Sequence, residues 1–274
     1  MDTVQDALSV MPFGTGFVNN MQNSLRQRIL RDAIPGDEYP PLLSVALQCA
    51  KTLALDFLPR IYLSKSSALN AFSFGTDKQP VIALNIGLLR VLRDKRELAA
   101  IVGHEMGHIK SQHITYHSLA EMLAAGASFA TGFFATGILI SASLQMLLLS
   151  WARKSELTAD RASLIVTGNL RSVVNTVARI AGGTNVSEKE LEKKAVKADE
   201  GFLEKLFNLG SRHPSALARI KAIEEFHKSE QYLKIRMAAR RREAFEGEVL
   251  SCAYCEAPML DSVVFCSSCH KSQL

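Results

Sequence analysis

The motif His104-Glu105-Met106-Gly107-His108 constrains this chain more than any other feature. The residues around it, from about Asp94, have helical apolar spacing. On a helix, positions four apart share a face. Both imidazoles can therefore reach one ion, and Glu105, beside the first, can reach a water activated there. A catalytic zinc takes three protein ligands and keeps one position open. A fold that uses this motif must therefore bring a third donor from elsewhere in the chain. The five-residue pattern also arises by chance, so the third donor carries much of the argument.

Glu156-Leu157-Thr158-Ala159-Asp160, on the next long helical stretch, supplies a candidate. Glu156 and Asp160 again share a face. Glu156 can complete a His104, His108, Glu156 site. Asp160 can accept a hydrogen bond from a ligand histidine, the contact that commonly orients such ligands. The competing reading is a solvated acidic pair on a helix surface.

Between these halves, Met122 to Ala152 contains no charged residue. The run exceeds the roughly 20 residues that cross a bilayer. A single crossing is incompatible with a shared metal, because His104 and Glu156 must lie on the same side. Crossings between them must be even, and two full helical spans need about 40 apolar residues. Gly132 and Gly137 suit a turn near the middle. The expectation is an apolar helical hairpin at about 118–152 that dips into or lies against a membrane, or makes two short spans. A hairpin buried in protein or in a dimer interface is the alternative.

The rest of the chain is ordinary by composition. Of 274 residues, 47% are hydrophobic and 22% charged, so a packed domain rather than disorder is expected. A net charge of +5 is too small to imply nucleic acid, and no aromatic-rich basic surface supports it. The opening MDTVQDALSVMPFG shows no signal-peptide pattern, which points to the cytoplasmic side of a membrane, or to a soluble cytoplasmic protein. Pro40-Pro41 is expected to end any local helix. Residues 42–57 have helical spacing, and Arg60 to Leu89 reads as short strands. A charged stretch at 184–200 reads as a solvated helix or linker. A single helical pattern covers 215–245, with a basic stretch Lys234–Arg242 that reads as a solvated face, or as attraction for anionic lipid.

Four of the five cysteines form two CxxC pairs, Cys252/Cys255 and Cys266/Cys269. Two such knuckles at short range can hold a second, structural zinc, and so small a module depends on the metal to fold. Cys49 reads as a core residue. His113, His117, His227 and His270 read as bystanders. His113 and His117 lie off the ligand face of an ideal helix.

HEMGH followed by ELTAD, preceded by Asn70-Ala71-Phe72 and followed by RHPSALARI at 212–220, resembles the HtpX-like and CAAX-prenyl-protease-like zinc metallopeptidases. The resemblance covers about 60–225. Four motifs in order are far more specific than one. It implies an α+β, zincin-like fold, mostly helical, with a small sheet beside the active-site helix. It implies that Asn70, Ala71 and Phe72 form a substrate-binding edge strand, that His213 stabilises the tetrahedral intermediate, and that Arg219 helps hold that region. His213 is also placed to occupy the open metal position in a resting form. The C-terminal zinc ribbon departs from the simplest family members.

The resulting organisation is an N-terminal helical segment at 1–59, a metallopeptidase domain at 60–225, a basic helical linker at 226–248 and a zinc ribbon at 249–274. The function expected is zinc-dependent endoproteolysis of protein or peptide substrates, with Glu105 and His213 catalytic. The alternatives are a non-catalytic zinc-binding adaptor and a zinc hydrolase acting on small amides. Oligomeric state is not legible from the chain.

Overall fold

Strand patterning between Arg60 and Asn85 resolves into three strands, β2 (Arg60–Ser64), β3 (Ala71–Thr76) and β4 (Gln79–Asn85). The computed structural model describes residues 27, 30–76, 79–114, 142–182, 215–244, 249–255, 258–260 and 271. A two-residue strand, β1 (Ile34–Pro35), joins these to give the sheet order β1-β2-β4-β3. β2 and β4 are parallel, while β1 and β3 pair antiparallel to their neighbours. The innermost strand, β4, reads PVIALN and is buried on both faces, hence its unbroken apolar run. Ile82 and Leu84 face the helices, whereas Val81 and Ala83 pack with Phe74 on the other side.

α1 (Pro40–Thr52) corrects the reading of Pro40-Pro41. The two prolines open this helix instead of ending it. The first turn of a helix has no use for its N–H groups, and proline's fixed φ suits it. Leu42, Val45, Ala46 and Cys49 then pack into the main core, with Cys49 fully buried. Burial pushes the Cys49 thiol pKa far up, which keeps it protonated and inert.

A short turn of helix, α2 (Ile86–Leu89), leads to α3 (Lys95–Lys110). Asp94 caps α3 by accepting from the backbone N–H groups of Arg96 (2.8 Å) and Glu97 (2.9 Å). Glu97 reaches back to accept from Arg93 N–H at 2.8 Å and is paired with buried Arg179. α3 ends at Lys110, although the helical spacing of the sequence runs on through His117.

α4 (Ala142–Thr167) lies along α3. Small residues line the crossing: the Cβ atoms of Ala162 and Val166 face Gly107 and Gly103. Ser163 Oγ ties the two helices by donating to Ala100 O at 2.8 Å. α5 (Leu170–Gly182) and α6 (Ala216–His227) pack behind them around Leu164, Val173, Ile220 and Ile223.

The expected single helix at 215–245 is two. α6 ends at His227, and Ser229 caps α7 (Glu230–Ala244) by accepting from Tyr232 N–H at 3.1 Å. Nor is the whole basic stretch of α7 a solvated face. Arg242 donates to Thr52 O at the end of α1, and Arg236 pairs with Glu243 at 2.6 Å. A hairpin of β5 (Val249–Ser251) and β6 (Pro258–Leu260) comes after α7.

These elements make a mostly helical α+β fold with a small mixed sheet. No helix among the described residues is long and apolar enough to cross a membrane. Most of the expected hairpin, 118–141, and the charged stretch 184–200 lie outside the described residues.

Candidate metal centre

His104 and His108 project from the middle of α3, and Glu156 meets them from α4. Their donor atoms lie within 4.8 Å of one another, the only metal-capable group of this kind among the described residues. The edges are short. Nε2 of His104 and Nε2 of His108 are 3.2 Å apart. Glu156 Oε2 is 3.6 Å from the first, and Oε1 is 3.4 Å from the second. Zinc bonds of about 2.0–2.1 Å give a tetrahedron an edge roughly 1.6 times the bond length, about 3.2–3.4 Å. The three donors thus come close to the spacing a zinc ion requires, with both imidazoles turned so that Nε2 faces the other histidine and Glu156.

The other ring nitrogens are engaged. His104 Nδ1 donates to Asp160 Oδ1 at 3.0 Å. Arg219, from α6, grips the same carboxylate with two hydrogen bonds, Nε to Oδ2 at 2.8 Å and Nη2 to Oδ1 at 2.6 Å. Its Nη1 lies 3.8 Å from Glu156 Oε2. Asp160 is 1% exposed and Glu156 4%, so this chain of contacts is sheltered from water. Bidentate Arg–carboxylate pairs are strong and directional, and here one fixes a carboxylate that orients a metal-capable histidine.

Charge is unbalanced around the three donors. Glu105, Glu156 and Asp160 converge on one close cation, Arg219. Burial disfavours a protonated His104, but the hydrogen bonds and charges of Asp160 and Glu156 outweigh it and push its pKa up to about 10. Burial likewise opposes ionisation of Asp160, yet Arg219 and then His104 hold its carboxyl below the usual range. Burial opposes the Arg219 charge too, and Asp160, Glu156 and Glu105 raise its pKa further. The pocket is built to hold one more positive charge.

Sequence reasoning places His104, Glu105, His108, Glu156 and Asp160 together, and all five are here. Arg219 came only from the resemblance, without a partner. Its partner is Asp160. β3, with Ala71 and Phe72, is an outer strand of the sheet and lies against α3. Asn85 N–H bonds to Asn70 O at 3.1 Å, so the antiparallel alternation turns the backbone groups of Ala71 and Ser73 away from β4.

His113 is not the bystander that helical extrapolation makes it. It is 8% exposed, and its Nδ1 lies 3.1 Å from Nδ1 of His108. The extrapolation fails because α3 stops. Gln112 adopts φ 55°, in the left-handed region, and turns the chain back on itself. Nothing in a glutamine announces that conformation. Cys252 is buried and Cys255 exposed at the end of β5. His213, Cys266 and Cys269 lie outside the described residues, as do His117 and His270.

Known proteins are similar to this chain in sequence. A chloroplastic plastoglobule-localized metallopeptidase 48 from Arabidopsis thaliana is 28% identical over 219 residues, 75% of this chain and 62% of that relative. A Protease HtpX homolog from Nostoc punctiforme is 26% identical over 197 residues, 61% of this chain and 66% of the relative. The chain therefore spans somewhat under two thirds of the length of these relatives. A third, a Protease HtpX homolog from Acaryochloris marina, is 27% identical over 220 residues, 68% of this chain and 72% of the relative. Residues 39–227 match Peptidase family M48, a span that contains the whole constellation and the three helices that build it, and the chain belongs to that family.

Proposed function

We propose that this chain is a zinc-dependent endopeptidase, acting on protein or peptide substrates. The observation that carries the reading is the spacing of His104, His108 and Glu156, which supplies the three protein ligands that a catalytic zinc takes. A zinc ion held there supplies Lewis-acid polarisation of the scissile carbonyl and lowers the pKa of a water toward neutrality.

The chain's own residues supply the rest. Glu105, 6% exposed on the same helix, takes the proton of that water and later delivers it to the leaving amine. Asp160 and Arg219 hold His104 in the tautomer that offers Nε2. His213 is the proposed donor to the developing oxyanion. The outward backbone groups of Ala71 and Ser73 offer a rail on which an extended peptide adds as a further strand, with Phe72 beside it. This favours peptides over small amides, since a small amide has no backbone to pair.

Two finer assignments accompany the proposal. The uncharged run from Met122 holds the enzyme to the cytoplasmic face of a membrane, and whatever path it takes must return Glu156 to His104. The Cys252, Cys255, Cys266 and Cys269 module holds a second zinc as a structural ribbon. A non-catalytic adaptor would have no use for a buried carboxylate at Glu105.

Glu105→Gln tests the mechanism. The variant should retain zinc, because Glu105 is not among the three donors, yet cleave an unfolded protein substrate about 10²–10⁴-fold more slowly. Unchanged cleavage would defeat the assignment.

A further inference from the structure

The two metal-capable histidines are oriented by different chemistry. His104 rests on a carboxylate, the usual arrangement. His108 rests on another histidine, His113, with the two Nδ1 atoms 3.1 Å apart. The His113 ring meets His108 at 67° and 5.3 Å between centroids, and meets Trp151 edge-on at 90° and 5.4 Å. Trp151 belongs to α4, the helix that carries Glu156 a little over one turn later. His113 is thus held from both sides of the site.

Nε2 of His108 faces His104 and Glu156. An ion held between these donors takes the lone pair of Nε2, so in the ion-bound neutral ring the proton sits on Nδ1. Nδ1–H must donate, and Nδ1 of His113 must accept. An accepting Nδ1 places the proton of a neutral His113 on Nε2. We infer that His113 is a positioning residue for the metal centre: it accepts from His108 Nδ1–H and locks His108 in the tautomer that presents Nε2 to the ion.

The backbone supports the inference independently. His113 reaches His108 only because Gln112 takes φ 55°, a conformation that a side chain with a β-carbon disfavours. Gln112 N–H bonds to Ile109 O at 3.0 Å and Ser111 N–H to Gly107 O at 3.1 Å, so the reversal is tied to the last turn of α3 itself. A neutral acceptor also differs from a carboxylate in consequence. Asp160 lends charge to His104, whereas His113 lends His108 orientation alone.

The inference rests on the proposed metal site, and the test separates the two. The full chain, His113→Leu and His113→Asn are titrated with zinc against a competing chelator. The metal-free melting temperature is measured alongside. Leucine fills the space without an acceptor, whereas asparagine can set Oδ1 near the position of Nδ1. His113→Leu should lower zinc affinity roughly 10–100-fold, while the metal-free melting temperature holds and His113→Asn recovers most of the affinity. Nitrogen NMR of the zinc-loaded wild type should find Nδ1 of His108 protonated and Nδ1 of His113 unprotonated. Wild-type affinity in His113→Leu, or the same loss in both variants, overturns the positioning role. If His113→Leu does not fold, the nitrogen spectrum decides, and a protonated His113 Nδ1 overturns it. A wild-type chain that takes up no zinc overturns the metal reading itself.

Discussion

Replacing Gly107 with alanine puts a methyl group where α3 and α4 touch. The new Cβ would stand 2.6 Å from Ala162 Cβ and 3.1 Å from Ala159 Cα. Carbon atoms prefer about 3.5–4.0 Å, so α4 must retreat by about 1 Å. Glu156 lies one turn from Ala159 on the same helix and retreats with it. Its oxygens now sit 3.6 and 3.4 Å from the histidine nitrogens, and a metal site tolerates shifts of only about 0.2 Å. The stability cost is small by comparison. Overpacking costs about 1–3 kcal/mol, and the gain in helix propensity returns about 1 kcal/mol. Gly107→Ala should therefore fold with a modestly lowered melting temperature but bind zinc at least about tenfold more weakly, a loss of about 1.4 kcal/mol. Ala162→Gly removes the closest contact. In the double variant much of the affinity should return, with a coupling of about 1 kcal/mol or more. Gly103→Ala is the control, since its nearest neighbours are Val166 side-chain atoms at 3.1 Å, well away from Glu156. Wild-type zinc affinity in Gly107→Ala, or additive effects in the double variant, would refute the claim that this close crossing places Glu156.

Asp160→Asn should weaken zinc binding about 10–100-fold by removing the charged partner of His104, and combining it with Arg219→Gln should add less than the second substitution costs alone, because the two residues form one contact. Calorimetric titration of the four proteins checks this. The metal-free protein should lose stability with rising pH. His104's folded pKa of about 10 lies above the ordinary 6.5. Its contribution is therefore full below about pH 6.5 and gone once pH passes about 10. Melts with excess chelator should show this slope, and zinc-saturated protein should lack it, since the ion replaces the proton. Cys252→Ser with Cys255→Ser should cost one bound zinc by metal analysis while peptide cleavage survives, because those thiols stand apart from the His–His–Glu donors.

The helix around His104 was readable because its apolar spacing and the four-residue repeat of the histidines both act within a few residues of one another. The third donor was readable for a different reason. Once HExxH is taken as a metal site, valence requires another ligand, and Glu156 with Asp160 repeats the four-residue spacing. Pro40-Pro41 misled because proline both opens and ends helices, and the residues on its C-terminal side decide between the two. Arg236 and Arg242 looked solvated because charge is normally exposed, whereas Arg242 caps the last turn of α1 and Arg236 pairs with Glu243.

What the sequence determined by itself, then, was chemistry that is local: two imidazoles on one face with a carboxylate beside the first, an acidic pair at the same four-residue spacing, and the requirement that the intervening run return. The contacts that join distant segments were decided by the tertiary structure. Arg219 meets Asp160 across 59 positions of chain, and no periodicity encodes that meeting. His113 meets His108 over only five positions, yet a single left-handed residue at Gln112 sets it. A helix repeat predicts direction only while the helix lasts, and the partners that orient these histidines come from where helices end or cross.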